Sequence, residues 1–147
     1  MSHRYMHVRQ QLEALEELGS EVARLRRGVH HLESRCMSAG ISRYGFAVTG
    51  DNREKEELWA RLCDQRTALT EKEAHYREQE ELVRVWIDQL PRPRWRMVLR
   101  CRYLEGMPMA EIPEVLTEAT GRSFSISQIY RLHAQALSAA EKLWPVS

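Results

Sequence analysis

Leu62, Leu69, Tyr76, Val83 and Leu90 stand seven residues apart without interruption. Seven residues make close to two helical turns, so this repeat keeps one narrow apolar stripe on one side of a helix and does not fit a strand, whose side chains alternate with period two. The companion position, Leu58, Gln65, Lys72, Gln79 and Trp86, mixes apolar and polar residues. A helix patterned in this way needs a partner along one edge but not burial all round. It is expected to run from a cap at Asp51 or Asn52 to Leu90.

A partner precedes it. From Arg4 to about Met37 the residues Tyr5, Val8, Leu12, Leu15, Leu18, Val22, Leu25, Val29, Leu32 and Cys36 alternate in steps of three and four, except where Leu12, Leu15 and Leu18 are each three apart. Gly19 follows that break, either as a local accommodation costing about 1 kcal/mol relative to alanine or as a hinge. Between Ser38 and Asn52 turn formers take over, with Tyr44, Phe46 and Val48 interleaved. This stretch reads as a loop whose aromatic residues fold back over the helix ends or meet a partner. At 1.5 Å per residue each helix would be about 50–60 Å long. An antiparallel coiled-coil hairpin is the simplest solution, and a parallel dimeric coiled coil is left open. His3, His7, His30, His31 and His75 lack the companion spacing of a metal site and read as surface residues.

Pro91-Arg92-Pro93-Arg94 ends the second helix, since the first proline cannot continue the ladder. The chain of 147 residues therefore divides into a hairpin over 1–90 and a small domain over 91–147. In the latter, Trp95 to about Leu104 forms a short helix that buries Trp95, Val98, Leu99 and Tyr103. Gly106 suits the left-handed cap that closes it. Met107-Pro108 opens a second helix with an apolar stripe of Met109, Ile112, Val115 and Leu116, and Gly121 stops it. Pro113 lies awkwardly deep in that helix, so either the helix begins later than Pro108 or it is kinked.

The third helix of this domain starts at Ser125. Ser125 with Gln128 three residues on is a capping-box pattern, and Phe124 can staple onto Ile129. Ile129, Leu132, Ala136, Leu137, Ala140 and Leu143 face a core, which leaves Ser127, Gln128, Arg131 and Gln135 outside. Short polar and basic side chains at the start of a last helix suit base edges and phosphates, as in a helix-turn-helix. Gln128 can complete the cap or pair with adenine, and both readings stand.

The abundance of charge and scarcity of Gly and Pro agree with an all-α chain. Residues 1–90 hold 14 Lys/Arg against 16 Asp/Glu, while 91–147 hold 8 against 5, so the positive part lies beside the last helix. Three scattered cysteines with no leader ahead of them fit reduced thiols in a cytoplasm rather than a disulfide framework. No apolar run approaches the roughly 20 residues that span a bilayer. No Gly-rich phosphate loop, metal-spaced ligand set or nucleophile with a paired base is present, so the expectation is a non-enzymatic protein without a cofactor.

Leu99-Arg100-Cys101-Arg102-Tyr103-Leu104-Glu105-Gly106, Ala110-Glu111-Ile112 and Ile129-Tyr130-Arg131-Leu132-His133-Ala134-Gln135-Ala136-Leu137 together resemble region 4 of sigma-70 type factors. They are closest to small phage and prophage proteins that place such a unit behind a coiled-coil segment. The resemblance covers about residues 86–143, and only the general layout before that. It implies a sequence-specific regulator of transcription that binds double-stranded DNA in the cytoplasm of a bacterial host. By position it implies that Ser127, Gln128 and Arg131 contact bases and backbone, flanked by Tyr130 and His133. It also implies an ion pair between Arg102 and Glu111. Apart from the resemblance, Gln135 on the same outer face and the basic residues Arg122, Arg94 and Arg96 are further candidates for DNA contact. Two alternatives are left open: a DNA-packaging protein of small-terminase type, and an interaction protein whose hairpin docks on RNA polymerase. A homodimer or higher oligomer is compatible with each.

Overall fold

A computed structural model describes residues 6–41 and 53–144. Among them the chain forms five α-helices and no strand: α1 (Met6–Ser38), α2 (Arg53–Asp88), α3 (Pro93–Leu99), α4 (Ile112–Thr120) and α5 (Ile126–Leu143). Tyr5, the expected caps Asp51 and Asn52, and the aromatic run Tyr44, Phe46 and Val48 lie outside the described residues.

Two compact units form, one of Met1–Glu17 with Glu78–Ser147 and the other of Leu18–Arg77. The division expected at Pro91 thus falls inside α1 and α2. The reason is visible in burial: Val8, Leu12 and Leu15 of α1 and Val83 and Ile87 of α2 are buried side chains of the unit that also holds α5.

In the unit Leu18–Arg77 the core is Val29, Leu32, Cys36, Ile41 and Leu62, with Leu58, Trp59 and Leu69 packed against it. Ion pairs join Glu21 to Lys72 (2.6 Å), Arg26 to Glu73 (2.8 Å) and Glu33 to Arg66 (3.3 Å). Early residues of α1 in this unit therefore meet late residues of α2, an antiparallel order. Lys72 holds a polar seam position half-buried, and its bond to Glu21 keeps that carboxylate below its ordinary range. A Cβ on Gly19 would stand 3.1 Å from the Tyr76 ring, so the glycine at the break of the α1 stripe admits a close aromatic approach.

In the other unit, α3 begins on Pro93, whose missing N–H has no ladder partner to lose. The helix expected to reach Leu104 changes pitch at Arg100 and finishes as a π-helical turn over Arg100–Leu104, with Glu105 N–H donating to Arg100 O at 2.9 Å. This wider turn brings both Cys101 and Tyr103 inside. Gly106 follows at φ +66°. A 3₁₀ turn, Met109–Glu111, precedes α4 and puts Pro113 in the first turn of that helix, where it neither kinks the axis nor removes a bond.

The Arg102–Glu111 pair implied by the resemblance is absent. Arg102 sits in the π-helical turn and pairs instead with Glu16 of α1 at 2.9 Å, and Glu111 lies exposed. Val98, Cys101, Ile112, Leu116 and Ile129 form the core that joins α3, α4 and α5. Leu143, expected inside, is 49% exposed, because Trp144 beyond it turns inward and takes the buried place.

Candidate functional site

The start of α5 is fixed by its own residues. Ser125 is extended, its Oγ accepts the Gln128 amide at 3.2 Å, and Gln128 Oε1 accepts the Ser125 amide at 2.8 Å, a complete capping box. Phe124 packs against the core that contains Ile129. The turn from α4 is equally specified. Gly121 takes φ +75° and donates to Thr117 O, while Thr117 Oγ1 donates to Pro113 O at 2.7 Å and accepts from Phe124 N–H at 3.3 Å. One threonine therefore ties both ends of the turn to α4, which explains why a turn longer than the minimum holds α5 in one place.

These constraints open a groove between the start of α3 and the first half of α5. It encloses about 640 Å³ and is lined by Arg92, Pro93, Arg94, Trp95, Met97, Thr120, Phe124, Gln128, Arg131, Leu132 and Gln135. Its floor is apolar and aromatic, its rim carries three arginines, and no carboxylate is among the lining residues. Arg92 stacks over Trp95 at 5.1 Å and Arg94 over Phe124 at 5.3 Å, leaving the edges of both guanidinium groups for a ligand. The Trp95 indole donates to Gln135 Oε1 at 3.2 Å.

Comparisons with protein-family models, curated proteins and solved structures find no match. The chemistry of the groove stands on its own residues.

Of the residues singled out from sequence, Arg94, Gln128, Arg131 and Gln135 converge on this groove. Ser127, Tyr130 and Arg122 are exposed but do not line it, with Tyr130 54% exposed. Arg96 is half-buried and donates through Nη1 to Leu90 O, closing the end of α2. Sequence reasoning missed Arg92, which it took as part of a helix boundary, and placed Trp95 in the core. Trp95 is half-buried, and the groove it lines is formed by side chains brought from distant parts of the chain.

His133, expected beside the reading face, has an internal task. Tyr103 OH and His133 Nε2 share a hydrogen bond at 2.8 Å and the two rings stack at 5.7 Å. Burial, aided by Arg9 and Arg102, pushes the imidazole down to about 4, and burial pushes the phenol up to about 12, so both members of the pair are held neutral. In the unfolded chain the imidazole titrates near 6.5. As pH falls through the window from 6.5 to 4 the unfolded chain takes up the proton first, and folding stability drops. The expected loss between pH 7.5 and 5 is about 1–2 kcal/mol after allowance for partial exposure. Urea unfolding of the wild type and His133→Gln at both pH values checks it, since the variant keeps a neutral hydrogen-bond partner for Tyr103 and should lose this part of the pH dependence.

Proposed function

We propose that the protein is a non-enzymatic, sequence-specific regulator that binds double-stranded DNA, sigma-70 region 4-like and encoded by a phage or prophage. In this reading α4, the Gly121 turn and α5 act as a helix-turn-helix, with α5 entering the major groove and α3 bracing it. The paired parts of α1 and α2 serve as an antiparallel coiled-coil mount, and the setting is the cytoplasm of a bacterial host. The observation that carries the reading is the convergence of Arg92, Arg94 and Arg131 on one carboxylate-free groove at the start of α5. Cations gathered without counter-charges favour a polyanion. The resemblance of residues 86–143 to region 4 points the same way.

Arg131 is exposed on α5 with no internal partner among the described residues, so its guanidinium is free to meet a base edge. Arg131→Ala is expected to cost about 1–3 kcal/mol on the preferred duplex. Arg94→Ala should weaken binding to all duplexes alike and make the logarithmic salt dependence shallower. Fluorescence anisotropy at several salt concentrations measures both, and unchanged affinity in the Arg131 variant removes α5 from the reading role.

A further inference from the structure

The polar groups of the groove share a chemical property that bears on which DNA it reads. Gln128 Oε1 accepts the Ser125 amide, and Gln135 Oε1 accepts the Trp95 indole N–H. Since a backbone amide and an indole N–H can only donate, each glutamine is held with its oxygen committed inward and its Nε2 group left for a ligand. Neither Nε2 makes a hydrogen bond among the described residues. Arg92, Arg94 and Arg131 supply donors alone. Thr120 has no donor left, because its hydroxyl donates to Leu116 O at 2.7 Å, and one of its lone pairs is taken by Arg122 N–H at 3.3 Å. The groups that the lining side chains leave wholly unpaired, two glutamine Nε2 groups and three guanidinium groups, are therefore donors, and each glutamine oxygen is already engaged on the protein side.

Resting on the DNA-binding reading above, we infer that this face recognises acceptor-only edges: guanine O6 and N7 in the major groove, flanked by phosphate oxygens, and not adenine. Guanine presents two adjacent acceptors there, which match the paired donors of a guanidinium or of one amide NH₂. Adenine presents an acceptor beside a donor. To pair with it Gln128 needs its oxygen, and that oxygen holds the start of α5. The competition between cap and adenine that the sequence leaves open is thus decided by the capping box, and the same bond sets the base preference. Charge agrees, since no carboxylate lines the groove to accept from a cytosine or adenine amine.

The test is selection of duplexes from a randomised pool by the full-length chain at low salt. Guanine should be enriched at the positions facing α5, and replacing each such guanine with 7-deazaguanine, which lacks the N7 acceptor, should weaken binding about tenfold. Gln128→Glu gives a sharper check. Its carboxylate still accepts the Ser125 amide and so keeps the helix start, but it turns the outward donor into an acceptor. The preference at one position should move from guanine towards cytosine, whose N4 amine donates, with helix content by circular dichroism unchanged. Enrichment of adenine, with Gln128→Glu leaving the preference where it was, overturns the inference and leaves DNA binding standing. Retention of no duplex overturns the DNA-binding reading and this inference together.

Discussion

Trp144→Ala is expected to destabilise the unit that carries the groove by about 3–5 kcal/mol, as seen when large buried aromatic side chains are truncated. Trp144 is 3% exposed and its ring lies 5.3 Å from that of Trp86. Its indole N–H donates to Trp86 O at 3.1 Å, so it satisfies a carbonyl near the end of α2 as well as filling space. Trp144→Phe retains most of the area and loses the donor, and should cost about 1–2 kcal/mol. Denaturant unfolding followed by far-ultraviolet circular dichroism compares the three. A midpoint unmoved in the alanine variant would mean that this side chain is not packed as described.

The second large effect concerns a residue far from the groove in sequence. Leu12 of α1 is fully buried and belongs to the same unit as α5. Leu12→Ala is expected to cost about 2–5 kcal/mol in that unit. Amide hydrogen exchange should show the loss of protection at Ile129, Ala136 and Leu137, over 100 residues along the chain. Loss confined to the Leu18–Arg77 unit would contradict the division of the chain. Further ties point the same way: Val8 N–H donates to Glu141 of α5 at 2.9 Å, and Arg102 pairs with Glu16.

The helical class was legible because periodicity is a local property. Leu62 and Val83 in the heptad stripe of α2 are buried, and the polar companions Gln65, Lys72 and Gln79 are half-buried. Gly106 and Gly121 take the left-handed angles for which the sequence selected them, and the capping box at Ser125 is formed. A stripe, however, tells that a face is covered and not by what. Val8, Leu12 and Leu15 continue the pattern of Val22 and Val29, yet the two groups belong to different units. The Arg102 partner was missed for a related reason: Glu16 is distant in sequence, and a change of helical pitch between residues is invisible to residue type. Four of the residues chosen for the interface converge, since each lies on one face of α5 or at the start of α3. The bonds that fix the two glutamine oxygens depend on partners no spacing rule selects, Trp95 above all.

The π-helical turn over Arg100–Leu104 in effect carries one residue more than an α-helical end to α3 would hold. The same residues wound as ordinary α-helix would turn every later residue about 100° further round the axis. Tyr103 would lose its place beside His133, and Cys101 its place beside Ile112. These five residues therefore act as a phase setting between the segment that supplies Arg92 and Arg94 and the segment that supplies Arg131. A related chain one residue shorter here should keep the groove by winding this stretch as ordinary α-helix.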